Sequence, residues 1–512
     1  AARPRDAMAS WKADVEVTAT PVEDIPGIVA SARRTFDSGV TRPLAWRVRQ
    51  LKAIKRMMMD NKDAITKAIQ GDLRRPEHEC VVAETLSCVG EAQHVIESLA
   101  DWMKPESVAT PMSQKPGTSA LRREPVGVVL VISPWNFPIN LCVMPLIYAL
   151  AAGNTVVIKP SEVSAASANL LEAMVRKYLD GDAVKVVQGA VAETTALLEQ
   201  RYDHIIYTGN GNVGRIVLAA AAKHLTPCTL ELGGKSPVIV DKSADIAVTA
   251  RRILFGKFLN CGQVCIAPDY VLVHKDVEAA LLKALSETIT KWFGKDPKAS
   301  NDLGRIINAR HFARISALLD AHRGTIVAGG QTDAAELYVA PTIISNPSVD
   351  SMLMRDEIFG PVLPVVRVND VDEAIRFVNE RPKPLALYCF CGDAAVEEKV
   401  LQRTSSGGVA VNDTIMHIVN PHLPFGGVGD SGMGAYHGKT GFDVFSHIKG
   451  VKTTGTWIDP AARYPPYSDS KLRMVQMIVL GMPKIPGGKA GILGLLVVLG
   501  LAASRFTRAS KL

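Results

Sequence analysis

Cysteine is scarce and unpatterned: eight thiols, Cys80, Cys88, Cys142, Cys228, Cys261, Cys265, Cys389 and Cys391, are scattered over 512 residues. Their spacings fit no zinc pattern, and a chain this long has no need of a disulfide scaffold. The expectation is a reducing compartment, free thiols and no bound metal. The first residues are polar and charged and carry no apolar signal-peptide core. Neither an internal repeat nor a long low-complexity segment is present. The eleven histidines fit no hydrolase triad pattern, which speaks against a Cys/His/Asp hydrolase. Charge is also missing from most of the chain. The net charge is +7, yet residues 461–512 hold eight basic residues and one acid, which is the whole excess. Residues 1–460 are neutral, so nucleic-acid binding has little support. The basic tail suggests an anionic membrane surface instead.

What remains is a large globular chain, 47% hydrophobic and 21% charged. Residues 22–103 carry apolar side chains at helical spacing, with one run at 44–69 and another at 79–102. A Pro/Ser/Gly-rich break follows at 105–117. Then the texture changes. Residues 126–132 form a continuous β-branched run, the mark of a buried parallel strand. Shorter runs of this kind occur at 155–158, 183–187, 204–207 and 238–240, with helical patterns at 165–179, 192–199 and 213–223 between them. A second alternating stretch spans 271–411. Alternation predicts two open, doubly wound α/β units in tandem.

Two segments carry reactive groups. Glu231-Leu232-Gly233-Gly234-Lys235-Ser236-Pro237 offers a carboxylate among glycines, and Asn260-Cys261-Gly262-Gln263-Val264-Cys265 offers thiols in a Gly/Gln turn. A thiol and a carboxylate base suffice for covalent catalysis at a carbonyl. The Cys-x3-Cys spacing does not say which thiol attacks. Glu231 could pair with Lys235 on a helix, although the two glycines make that helix unfavourable. Asn136 lies in Ser133-Pro134-Trp135-Asn136-Phe137-Pro138, at the end of a strand, where α/β ligands collect. As a rigid amide donor or as a cap of the next helix, it reads equally well. Gly209-Asn210-Gly211-Asn212-Val213-Gly214 spells a dinucleotide fingerprint between a strand and a helix. However, several strands precede it, whereas the ordinary fingerprint lies in the first strand–helix turn. Beside Arg355 and Asp356, Glu357 reads on composition as a solvated acid.

Five ordered motifs together resemble the NAD(P)-dependent aldehyde dehydrogenases. They are Pro134-Trp135-Asn136-Phe137-Pro138, Ile158-Lys159-Pro160-Ser161-Glu162, Glu231-Leu232-Gly233-Gly234-Lys235-Ser236-Pro237, Gly262-Gln263-Val264-Cys265 and Glu357-Ile358-Phe359-Gly360-Pro361. The likeness covers about residues 25–460. Details such as Gly434-Ala435-Tyr436-His437-Gly438 resemble the class 3, or fatty-aldehyde, branch. The resemblance implies Cys265 as nucleophile, Glu231 as general base and Asn136 as oxyanion donor. It implies Lys159, Glu162, Gly209, Gly214, Glu357, Phe359 and Trp135 as cofactor-binding residues. NAD is the expected cofactor and NADP the second choice, since the Glu162 carboxylate would repel a 2′-phosphate. The implied architecture is an NAD-binding domain at 1–103 and 125–233, and a catalytic domain at 234–438. A β bridging element at 104–124 and 439–460 would build a homodimer.

Residues 461–512 lie largely outside the likeness and read as a membrane-associating tail. An apolar segment at 472–482 is expected to form a helix over the substrate entrance. Residues 490–504 are 15 uncharged residues between Lys489 and Arg505. As a helix they would span roughly 22 Å, short of the ~30 Å hydrocarbon core, and so make a marginal anchor. The last three residues, Ser510-Lys511-Leu512, spell a peroxisomal address; endoplasmic reticulum is the other membrane expected. The first-choice substrate is therefore a long-chain fatty aldehyde, with an apocarotenal or other isoprenoid aldehyde as alternative. A catalytically silent relative with a binding role is the alternative of another class.

Overall fold

The computed structural model describes residues 15–480. Internal contacts divide the chain into two units: residues 1–103 with 123–447, and residues 104–122 with 448–512.

The first unit opens with helices Ile25–Asp37, Leu44–Asp60, Lys62–Leu73 and Ser87–Trp102. The apolar run at 44–69 is two helices, not one. They part at Asn61, whose side-chain amide donates to the Met57 carbonyl at 2.7 Å. The helical run at 79–102 is interrupted by a wide π-helical turn, Val81–Leu86. Such turns recur at functional sites because the extra residue re-aims a side chain; here the turn carries the fully buried Glu84.

A six-stranded sheet follows. Its spatial order is Gly432–Met433, Cys228–Glu231, His204–Thr208, Val128–Ile132, Thr155–Lys159, Val184–Val186. The last five are parallel. In chain order they run 3-2-1-4-5, the doubly wound pattern. The order reverses between Val128–Ile132 and His204–Thr208, and ligands of such sheets bind at that reversal. Val128–Ile132, Thr155–Lys159 and His204–Thr208 are buried at every residue, as continuous apolar runs should be. Helix Asn140–Ala152, apolar on nearly every side, is buried accordingly.

The second sheet has seven strands, in the order Thr325–Ala328, Thr342–Ser345, Val362–Val368, Tyr270–His274, Pro237–Val240, Ala386–Phe390, Gly408–Val411. All are parallel to their neighbours except the first. Both sheets thus have the α/β character that strand and helix alternation predicts.

The second unit holds most of a three-stranded sheet, ordered Glu106–Val108, Thr118–Pro125, Ser446–Thr453. The Pro/Ser/Gly-rich stretch 105–117 contains the first of these strands. It also holds helix Asp469–Leu480, whose residues are exposed apart from Lys471. Among the described residues no helix is long and apolar enough to cross a membrane. The apolar run at 490–504 and the terminal tripeptide lie outside the described residues.

Candidate active site

The strand Val128–Ile132 delivers Ser133 to Phe137 to the reversal of the first sheet. Asn136 is 3% exposed and caps no helix: the next helix begins at Asn140, with Ile139 as its N-cap residue. Instead its Nδ2 donates to the Gln263 carbonyl at 3.0 Å. An amide nitrogen carries two hydrogens, so one such bond leaves a second donor.

Gln263 belongs to the loop that bears the thiols. Asn260, Cys261 and Gly262 are successive left-handed residues, with φ of 49°, 54° and 75°. For two non-glycine residues this is strained, and buried hydrogen bonds hold it. The Gln263 side chain donates to the Asn260 and Arg305 carbonyls at 3.0 Å each and accepts from the Ile307 N–H at 3.0 Å. Glu79 accepts from the Asn260 N–H at 2.9 Å. The loop turns Cys261 inward, to 1% exposure. Cys265 is half-buried; of the eight cysteines only it and Cys228 are not fully buried. Burial first, then the charges of Glu357 and Glu231, pushes the Cys265 thiol up to about 12, while its own N–H and that of Ile266 pull it down.

Glu231 ends strand Cys228–Glu231 and is 2% exposed. Neither carboxyl oxygen has a hydrogen-bond partner among the described residues. Burial raises this carboxyl well above the ordinary carboxylate range. Lys235 is not its partner; that ammonium pairs with Asp269 and donates to the Leu353 and Asp356 carbonyls at 2.8 Å each. Asp269 in turn accepts from the Ile358 N–H at 2.9 Å. Arg314 donates to the Glu357 and Ile358 carbonyls at 3.1 and 2.7 Å. The turn Glu357-Ile358-Phe359 is therefore clamped from both sides. Glu357 is not a solvated acid: burial, then the charge of Asp269, raises it to about 7.

The crevice fits a dinucleotide. Gly209 follows the fourth parallel strand, at the sheet reversal, and its N–H donates to the Glu231 carbonyl at 3.0 Å. The literal fingerprint thus has a different place from the ordinary one. Asn210 caps helix Gly211–Ala222 by accepting from the Val213 N–H at 3.0 Å. A Cβ on Gly214 would stand 2.9 Å from Leu232 Cδ2, so this glycine serves close helix–strand packing. A Cβ on Gly233 would stand 2.3 Å from Glu357 Oε2, which keeps the Glu357 carboxyl against bare backbone. A cavity of about 600 Å³ opens along Gly233, Gly234, Lys235 and Glu357. Trp135 lies 4.9 Å from the His311 ring and 5.4 Å from Phe359, centroid to centroid. The buried Nε2 of His311 has no partner among the described residues and awaits one. Lys159, 3% exposed, bonds its own neighbour's carbonyl, Pro160, at 2.7 Å and Glu162 at 3.1 Å.

The predicted site residues thus fall into two groups. Glu231 and Glu357 both lie within electrostatic reach of Cys265, with Asn136 tied to the same loop. Lys159 and Glu162 stand at the carboxyl end of the neighbouring strand, Thr155–Lys159. Sequence reasoning missed Arg75, Asp269, His311 and Arg314. Each is an ordinary-looking residue outside any glycine-rich turn, and only long-range packing brings it to the site.

The profile of the Aldehyde dehydrogenase family matches residues 11–451. "Aldehyde dehydrogenase, dimeric NADP-preferring" of Mus musculus is 48% identical over 447 residues, covering 87% of this chain and 98% of that one. "Aldehyde dehydrogenase family 3 member A2" of Pongo abelii is 45% identical over 486 residues, covering 94% and 99%. Among solved structures, Staphylococcus aureus AldH in a substrate-bound state superposes with a TM-score of 0.86 at 40% identity, covering 88% and 98%. At these identities and coverages the chain belongs to the aldehyde dehydrogenase family and is an aldehyde-oxidising enzyme that uses NAD or NADP.

Proposed function

We propose that the enzyme oxidises a long, apolar aldehyde to its carboxylic acid, as a class 3 type dehydrogenase of fatty-aldehyde character. Cys265 is its nucleophile. The observation that carries this assignment is Glu231: a buried carboxyl whose two oxygens have no partner among the described residues, close enough to raise the Cys265 thiol. A buried, unpaired carboxyl costs several kcal/mol, and a base for water is a use that justifies it. Cys265 attacks the aldehyde carbon as the thiolate, its proton having passed to solvent, and the C=O π pair moves onto oxygen to give a thiohemiacetal. The free N–H of Asn136 and the backbone N–H of Cys265 hold the developing oxyanion; each such donor is worth roughly 10²–10³ in rate. A bound NAD or NADP supplies the hydride acceptor. Glu231 then takes a proton from the water that attacks the resulting thioester. Exclusion of bulk water from this buried wall strengthens both interactions.

Trp135, Phe359 and Glu357 would hold the nicotinamide end of the cofactor, and Gly209 and Gly214 the phosphate side. Lys159 and Glu162 would hold the adenosine ribose. The Glu162 carboxylate favours NAD. Its bond to Lys159 moderates the repulsion of a 2′-phosphate, in keeping with the printed preference of the mouse relative for NADP.

Two features support an apolar substrate. Tyr388 donates to the carbonyl of Ile266, beside the nucleophile, at 2.5 Å and accepts from the Ile415 N–H at 3.3 Å. The segment beyond Ile415 exposes Met416, Val419 and Leu423, each more than 40% exposed, an apolar margin on a loop tied to the thiol. Helix Asp469–Leu480 exposes Leu472, Met477, Val479 and Leu480, all above 50%. With the apolar run at 490–504 it would bring the enzyme to a peroxisomal or endoplasmic reticulum membrane, where long aldehydes partition. The β element at 104–124 and 439–460 would build a homodimer, the state that the mouse relative's name prints. The test supplies hexadecanal and NAD and follows reduced nicotinamide, with Cys265→Ser beside the wild type. Turnover by the wild type alone is expected; normal turnover by Cys265→Ser would transfer suspicion to Cys261, and turnover only with short polar aldehydes would remove the fatty-aldehyde reading.

A further inference from the structure

We infer that Arg75 is a positioning residue for the oxyanion amide, acting through the Asn136 turn and the thiol loop; the inference rests on the role proposed for Asn136. Arg75 is 1% exposed, just past the end of helix Lys62–Leu73, far from any motif that announces chemistry. Three edges of its guanidinium are used. Nε donates to Asn260 Oδ1 at 2.9 Å, Nη1 donates to Glu84 Oε1 at 2.6 Å, and Nη2 donates to the Asn136 carbonyl. Its flat face lies 4.6 Å from the Phe137 ring. One rigid fork therefore grips both walls of the site.

The partners close the circuit. Asn260 Nδ2 donates to the same Asn136 carbonyl at 2.9 Å and to the Gln263 carbonyl at 3.1 Å. The Gln263 carbonyl is also where Asn136 Nδ2 donates. Asn136 is thus held at its backbone by Arg75 directly and at its side chain by the Gln263 carbonyl, which Arg75 reaches through Asn260. Glu84 completes the grip: its Oε2 accepts from the Ile139 and Asn140 N–H groups at 3.1 and 2.7 Å, the first turn of the helix that follows Asn136. The π-helical turn Val81–Leu86 is what places Glu84 there. Arginine suits this task and lysine does not, because only a planar fork reaches three acceptors in fixed directions. With no assigned contact to substrate or cofactor, the residue affects rate by keeping the second Asn136 N–H aimed.

A kinetic cycle tests this, using the full-length enzyme with a soluble aldehyde and NAD. Arg75→Met/Glu84→Gln removes both charges together, so that neither is orphaned. It is expected to lose roughly 10–100-fold in kcat, the scale set by a misplacement of about 1 Å, with the KM for NAD within about 2-fold. Combined with Asn136→Ala it is expected to add no further loss, since residues that act as one unit are non-additive. Arg75→Lys, the milder variant, should show a smaller loss with the same non-additivity. Losses that multiply in the cycle, or wild-type kcat in Arg75→Lys and Arg75→Met/Glu84→Gln, would overturn the inference alone. Wild-type kcat in Asn136→Ala would overturn the role of Asn136 and the inference with it.

Discussion

Glu231 shows how burial assigns a role to a single residue. At the end of a buried strand, with no donor for either oxygen among the described residues, its carboxyl is pushed toward the neutral form. Activity that depends on it as a base is therefore expected to rise with pH above the ordinary carboxylate range. In Glu231→Gln, kcat should fall by roughly 10²–10⁴, the range for a lost general base, while acylation still occurs. Rapid-mixing experiments should then show a burst of reduced nicotinamide followed by slow turnover; an unchanged steady state would discredit the assignment. Glu79 makes a stability argument of the same kind. Burial raises it to about 7, the bond from the Asn260 N–H opposing only in part. Its folded pKa exceeds the unfolded one, so the folded state binds the extra proton between about 4.5 and 7. Stability is greatest below that window and declines as pH rises through it. Glu79→Gln should flatten that decline in melting temperature between pH 5 and pH 7.5. Glu357 is raised to about 7 by burial as well and contributes a decline of the same sign, so the flattening is partial.

Elements are decided by what their backbones approach. The thiol loop passes so close to the cofactor turn that a Cβ on Gly262 would stand 2.3 Å from the Gly360 carbonyl, at a φ of 75°. Gly262→Ala is expected to destabilise the fold by about 1–3 kcal/mol through backbone strain and to lower turnover, measurable by denaturant titration beside kinetics. Gly233 tests the other wall. A Cβ there meets the Glu357 carboxyl, the flexible end of a side chain, so that carboxyl moves while the fold survives. Gly233→Ala should raise the KM for NAD by about 10-fold, equivalent to ~1.4 kcal/mol, with a nearly unchanged melting temperature. An unaltered KM would separate Glu357 from cofactor binding. Strands and glycine turns of this kind were legible in the sequence, because β-branched runs and Gly-Gly steps act locally. The break at Asn61 and the π-helical turn at Val81–Leu86 were not. Apolar spacing is nearly the same across a one-residue interruption, and it is the packing of Glu84 against Arg75 that gives the wide turn its use.

At the scale of the whole molecule, the neutral body and the +7 tail remain separate in kind. Truncation after Pro483 should leave turnover of a soluble aldehyde intact and release the enzyme from membranes in a sedimentation assay. Continued pelleting would end the proposed membrane role of the last residues. Composition, strand and helix alternation and five ordered motifs were enough to indicate an α/β aldehyde dehydrogenase, since each is written in contiguous residues whose local geometry they largely dictate. Contiguous residues did not say which groups meet. Asn136 and Gln263 are 127 positions apart, Arg75 and Asn260 are 185, and Lys235 leaves its near neighbour Glu231 for Asp269. Sheet order and close packing chose those partners, because a buried donor or charge must find its complement wherever the fold brings one. Among the described residues, the same choice left the Glu231 carboxyl without one.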